Sequence, residues 1–150
     1  MGLRPIPVKF QIAKETSMIA SDTPLHHLTT TLARPRTRFM TAKTNTKFGF
    51  WNVRTLNQLT KPEQVLREMK KYKLDLLALS EVRWIGSGYE QLGEGYSLIY
   101  SGNESRHQAG VGIMLSDQAT KALAEWKPVS ERCLLARFVN NHLKISIIAC

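Results

Sequence analysis

Apolar and polar positions fall into a regular pattern only from Lys47 onward. Lys47-Phe48-Gly49-Phe50-Trp51 reads as a strand, with Trp51 expected in the core, and Asn52 to Leu59 as a loop. Thr60-Lys61-Pro62-Glu63 has the form of a capping box, and Pro62 fits a first helical turn, where its missing N–H costs nothing. Val65, Leu66, Met69 and Tyr72 then recur at helical spacing, with charged residues between them. Leu74-Asp75-Leu76-Leu77-Ala78-Leu79 is nearly continuous in apolar residues, as a strand covered on both faces would be. Residues 47–80 therefore predict a strand–helix–strand unit, whose strands are parallel neighbours joined by a right-handed crossover.

Beyond this unit, Gly86, Gly88, Gly93 and Gly95 predict an irregular loop. Strands are expected at Tyr96–Tyr100 and Gly110–Leu115. Ser116-Asp117 can cap a short helix reaching about Glu125. Arg132–Val139 and His142–Ala149 form a predicted hairpin around Asn140-Asn141. The last residues, Ile145 to Cys150, read as a buried strand with no turn after it, which predicts that a larger domain continues beyond the chain.

Composition changes the picture mainly for the first 46 residues. The 150-residue chain has 21 Lys and Arg against 12 Asp and Glu, a net charge of +9. Residues 1–46 are basic, Thr-rich, interrupted by Pro5, Pro7, Pro24 and Pro35, and hold only two of the twelve aromatics. Such a stretch buries too little apolar surface to offset chain entropy, so it is expected to be a disordered basic tail in front of a domain at 47–150. Arg34, Arg36 and Arg38 in that tail are candidate phosphate contacts, with a plain solvated tail favoured over that role. No apolar run approaches the ~20 residues of a membrane helix. Two cysteines, Cys133 and Cys150, exclude a disulfide scaffold and suggest a reducing compartment, nuclear or cytoplasmic, with a mitochondrial transit peptide as a rival reading of the tail.

Asn52 follows the first predicted strand, and Glu81 follows the second after Ser80. Parallel pairing brings both to the carboxyl edge of the sheet, where open α/β folds bind ligands. A carboxylate and a neutral amide at one edge suit a hard cation and a phosphate. Spacing alone favours plainer roles: a solvated acid paired with Arg83, and a turn asparagine. His107, in the polar turn before Gly110, is a candidate phosphate contact against a surface histidine. Trp84 is expected to pack on the sheet edge rather than stack on a base. His142 has no assigned role. Gly110 and Gly112 lie in a strand and lack the Lys-Ser/Thr of a phosphate loop.

The ordered set Phe50-Trp51-Asn52-Val53-Arg54-Thr55-Leu56, Leu79-Ser80-Glu81-Val82-Arg83-Trp84, and Tyr100-Ser101-Gly102 leading to Ala109-Gly110-Val111-Gly112-Ile113 resembles the opening motifs of the endonuclease/exonuclease/phosphatase superfamily. Within it, residues 47–150 are most similar to the apurinic-type endonuclease domains of non-LTR retrotransposons and to the craniofacial-development-protein-like sequences derived from them. The resemblance implies the N-terminal half of a DNase I-like four-layer α/β sandwich and a DNA phosphodiesterase that uses Mg²⁺ or Mn²⁺. It makes Glu81 the metal-binding carboxylate and Asn52 the active-site amide. Some family members have an acid at the position of Arg54, so no metal role transfers to it; a bidentate phosphate contact is the alternative to a solvated loop arginine.

Later family motifs, which carry a general-base Asp and a catalytic His, do not occur in the sequence. The chain alone is therefore expected not to cleave DNA. The second sheet is expected to lie in those absent residues, leaving an apolar sheet face open and folding marginal. A non-catalytic, basic nucleic-acid-binding remnant and an inactive transposon-derived product are the competing readings.

Overall fold

A computed structural model describes residues 10–14, 38–41, 44–140 and 143–150. In chain order the elements are β1 (Phe10–Lys14), β2 (Phe48–Asn52), α1 (Lys61–Lys71), β3 (Leu76–Ser80), β4 (Ser87–Gly93), β5 (Tyr96–Ser101), β6 (Val111–Leu115), α2 (Asp117–Ala122), β7 (Leu123–Ser130), β8 (Cys133–Val139) and β9 (Lys144–Ala149). They build a mixed α/β fold with two sheets, compatible with a partial α/β sandwich.

The predicted strand–helix–strand unit is present. β2 and β3 pair in parallel, with Phe48 opposite Leu76 and Asn52 opposite Ser80. Between them α1 turns Val65, Leu66 and Met69 inward, as their spacing requires. Thr60 does not act as the expected capping box: it lies in helical geometry, and its side chain makes no cap bond. The helix starts on Pro62, on Glu63 in the first turn, and on the Gln64 N–H donating to the Thr60 carbonyl at 3.1 Å. At α2, by contrast, the Ser116 hydroxyl does accept from the Ala119 N–H.

The first sheet runs β2-β3-β6-β5-β4, antiparallel except for the β2–β3 pair. One face packs on α1, through Leu77, Leu79, Leu98 and Met114 against Val65, Leu66 and Met69. Every residue from Leu76 to Leu79 is buried, which explains the unbroken apolar run. Trp51 departs from expectation. It lies on edge strand β2 and is 42% exposed rather than in the core. Trp84 packs edge-on against Tyr100, with ring centroids 4.8 Å apart, as expected of a residue at the sheet edge.

The second sheet, β1-β9-β8-β7, is fully antiparallel. This corrects the expectation that residues beyond this chain must supply it. Leu134, Ala136, Phe138, Ile147 and Ala149 form one core with Leu76, Ile99, Ile113 and Leu115 of the first sheet. The first sheet is thus covered on both faces by this chain. The predicted hairpin is its centre, with Leu135 opposite Ile148 and Val139 opposite Lys144.

Beyond residue 46, two strands were not expected. β4 replaces the irregular glycine loop: Gly88 faces the Tyr100 ring so closely that an added Cβ would sit 2.7 Å from its hydroxyl, so this glycine makes room for a neighbour rather than breaking the strand. β7 begins where a helix was expected to run on. Its Pro128 is tolerated because β7 lies at the edge of its sheet.

Parts of the 1–46 stretch also carry structure. Phe10–Lys14 pairs antiparallel with β9. Phe39 and Met40 are buried, and the Phe39 ring lies 5.1 Å from that of Phe138. Asn140, in the hairpin turn, donates from Nδ2 to the carbonyls of Phe39 and Met40 at 2.8 and 3.1 Å and accepts from Leu143 N–H. The folded unit therefore includes residues before position 47. Arg34, Arg36 and His142 lie outside the described residues; the Arg38 backbone N–H donates to the Gln118 side chain.

Candidate functional site

Parallel pairing of β2 and β3 ends both strands at one edge. Asn52 is the last residue of β2, and Glu81 leaves β3 directly after Ser80. Their side chains meet there: Asn52 Nδ2 donates to Glu81 Oε1 at 2.8 Å. The amide oxygen is held in turn by the Arg54 backbone N–H at 3.0 Å. Arg83 Nη2 donates to the other carboxylate oxygen, Oε2, at 3.0 Å. The plain role foreseen for Glu81, pairing with Arg83, is therefore real and coexists with its convergence on Asn52.

The backbone beneath is unusual. Arg54, Glu81, Arg83 and Ala109 all take left-handed geometry, with φ between 54° and 57°. Each costs an L-residue roughly 1–3 kcal/mol and is retained when surrounding structure enforces it. Here the enforcing bonds run across the strand ends: Val53 N–H to Ser80 O, Leu56 N–H to Val82 O, Val82 N–H to Gly110 O, and Arg83 N–H to Ala109 O. Gly110 itself has φ of 96°, and a Cβ there would lie 3.0 Å from the Arg83 nitrogen. Gly110→Ala should therefore cost about 1–3 kcal/mol and disturb the Glu81 turn; an unchanged urea midpoint would show that the turn yields freely.

A groove of about 550 Å³ opens over this edge, lined among others by Asn52, Glu81, Arg83, His107, Arg132 and Cys150. His107 does reach the site. Its Nδ1 lies 2.9 Å from the Arg83 carbonyl, which can only accept, so Nδ1 carries the proton and donates. Sequence reasoning missed Arg132 and Cys150. They are far from Glu81 along the chain and arrive through the β7–β8 turn and the end of β9, where Gly110 N–H donates to Glu131 O.

Glu81 is held below its ordinary pKa of 4.5, first by the Asn52 hydrogen bond and then by the bond and charge of Arg83 and the charge of Arg54; partial burial opposes them. A lowered folded-state value means that these contacts stabilise the fold fully above the ordinary carboxylate range and lose that effect as pH falls through the folded value. The difference in urea midpoint between the wild type and Glu81→Gln should therefore shrink from neutral pH to about pH 3. A constant difference over that range would contradict the assignment.

Among the described residues, no group of three or more His, Cys, Asp or Glu side chains is placed to share a metal ion. Among the described residues, Glu81 is the one acidic side chain lining the groove. Its side chain is 33% exposed, and each carboxylate oxygen keeps acceptor capacity beyond its bond to Asn52 or Arg83. Such a donor set fits a largely hydrated Mg²⁺-type ion, which commonly takes one or two carboxylates and completes its shell with water and phosphate. It does not fit a dehydrated cage.

An ionised carboxylate, an amide and an arginine thus meet at the open edge where β2 and β3 end. No family model matches the chain. Over 100 residues it is 28% identical to Craniofacial development protein 2 of Bos taurus and, to the same extent, to that of Tragulus javanicus. The matched region is 67% of this chain and 17% of each relative, so the chain spans about a sixth of the proteins it resembles.

Proposed function

We propose that this chain carries the metal- and phosphate-holding edge of a divalent-metal-dependent phosphodiesterase of the endonuclease/exonuclease/phosphatase superfamily, a retrotransposon-type endonuclease acting on DNA. The observation that supports it most is the 2.8 Å bond between Asn52 and Glu81. The distant similarity to Craniofacial development protein 2 points the same way. Glu81 is the residue that would hold Mg²⁺ or Mn²⁺, and Asn52 fixes its carboxylate. A bound ion would polarise a phosphoryl oxygen and offset charge developing at phosphorus. Arg54 and Arg83 supply positive charge on the same side, suited to a backbone phosphate. His107 lines the groove, with Nδ1 held by the Arg83 carbonyl, and is a further candidate phosphate contact.

Among the described residues, the groove lining holds one acid and one imidazole. His107 is tied to a carbonyl rather than to an aspartate, so among the described residues no oriented His–Asp pair stands ready to activate water. The chain alone therefore binds DNA with Mg²⁺ assistance and does not cleave it. Supercoiled plasmid incubated with the chain and Mg²⁺ should remain intact, while a labelled duplex binds more tightly with Mg²⁺ than with EDTA. Glu81-dependent nicking would refute the first half, and equal binding in both buffers the second.

One observation favours a second reading. The Arg83 guanidinium already neutralises Glu81 at 3.0 Å, as suits a metal-free, basic surface that holds nucleic acid through phosphate contacts alone. That reading predicts salt-sensitive binding indifferent to EDTA.

A further inference from the structure

We infer that Cys133 and Cys150 are a paired oxidation site, closing to an intramolecular disulfide at the wall of the Glu81 groove when a peroxide is present. The inference is independent of the nuclease reading. It starts from register: β8 and β9 place Leu134 opposite Ala149, so one step outward sets Cys133 opposite Cys150. Directly opposed residues of antiparallel strands have Cα atoms ~4.5–5.5 Å apart, inside the ~4.4–6.8 Å span that a disulfide bridges. Both thiols are free, and their sulfurs lie 2.8 Å apart. Reaching the ~2.05 Å of a disulfide needs less than ~1 Å of further approach, within what side-chain rotation supplies.

The two thiols divide the work. Cys150 is exposed and lines the groove; Cys133 is half-buried. Burial, then the hydrogen bond and charge of Cys150, push the Cys133 thiol up to about 11, so Cys133 is the poorer first nucleophile. The Cys150 thiolate attacks a peroxide oxygen, the O–O bond breaks, and hydroxide leaves to be protonated to water. The product is a neutral sulfenic acid, and with the thiolate gone its restraint on Cys133 ends. Cys133 sulfur then attacks the Cys150 sulfur; the S–S bond forms, the S–O bond breaks, and the hydroxyl departs as water with the Cys133 proton. In sum, two thiols and one hydrogen peroxide give one disulfide and two waters. In a reducing compartment such a bond is transient and is reversed by thiol exchange.

Treating the full chain with hydrogen peroxide, alkylating residual thiols and digesting with trypsin tests this directly. The expected result is a monomer lighter by two hydrogens, in which the 133–137 and 145–150 peptides are linked and released by dithiothreitol. In Cys133→Ser the link disappears and a dimedone-reactive sulfenic acid accumulates on Cys150. Both peptides recovered alkylated after peroxide, or linkage only between chains, would overturn the inference. The wild-type digest decides the matter even where the variant folds poorly.

Discussion

Replacing Ile147 with alanine should lower the unfolding free energy by about 2–5 kcal/mol, read as a reduced urea midpoint in circular dichroism. Ile147 is fully buried at the centre of β9, opposite Ala136, in the layer where the two sheets meet. Truncation there leaves a cavity in a core drawn from both sheets, so the loss includes the cavity term as well as the transfer of the side chain. Val129→Ala, on exposed edge strand β7, serves as the comparison and should change stability by less than about 0.5 kcal/mol. If the second sheet were only loosely attached, the two substitutions would cost the same. A large gap between them establishes that this chain folds as a two-sheet unit.

Glu81→Gln should abolish the Mg²⁺-dependent part of DNA binding while lowering stability at neutral pH by no more than about 1 kcal/mol. The substitution keeps shape but removes the charge that a hard cation requires, and its amide can still accept from only one of Asn52 and Arg83. Its structural cost is small because the Glu81–Arg83 pair is partly exposed, and such pairs are worth about 0–1 kcal/mol. In EDTA the variant should bind DNA at least as tightly as the wild type, since Arg54 and Arg83 no longer face a competing carboxylate. Fluorescence anisotropy of a labelled duplex, with Mg²⁺ and with EDTA, separates these effects. Retention of the Mg²⁺ enhancement in Glu81→Gln would remove Glu81 from the metal's surroundings.

The sequence disclosed the part of the fold that is local. Phe48–Asn52, α1 and Leu76–Ser80 each have a strong period, and the short parallel crossover between them dictates where Asn52 and Glu81 end up. The cap at Ser116 was legible for the same reason. What escaped depends on non-local partners. Gly88 looks like a loop residue until Tyr100 is placed across from it. Pro128 looks like a breaker until β7 is known to be an edge. Phe39 and Met40 show no periodicity, and their burial is settled by Asn140, about a hundred residues away. Arg132 and Cys150 reach the groove only through the register of the second sheet. From spacing, pairing with Arg83 and convergence on Asn52 look like alternatives for Glu81; its two oxygens make both contacts at once.

The convergence of Asn52 and Glu81 is a geometric fact; that the pair receives a divalent ion is the central functional claim. Adding Mn²⁺ to isotopically labelled chain and recording amide line-broadening by nuclear magnetic resonance measures it most directly. The account predicts broadening centred on Asn52, Glu81, Val82 and Gly110, displaced by excess Mg²⁺ and lost in Glu81→Gln. Broadening centred elsewhere, or unchanged in that variant, would contradict it.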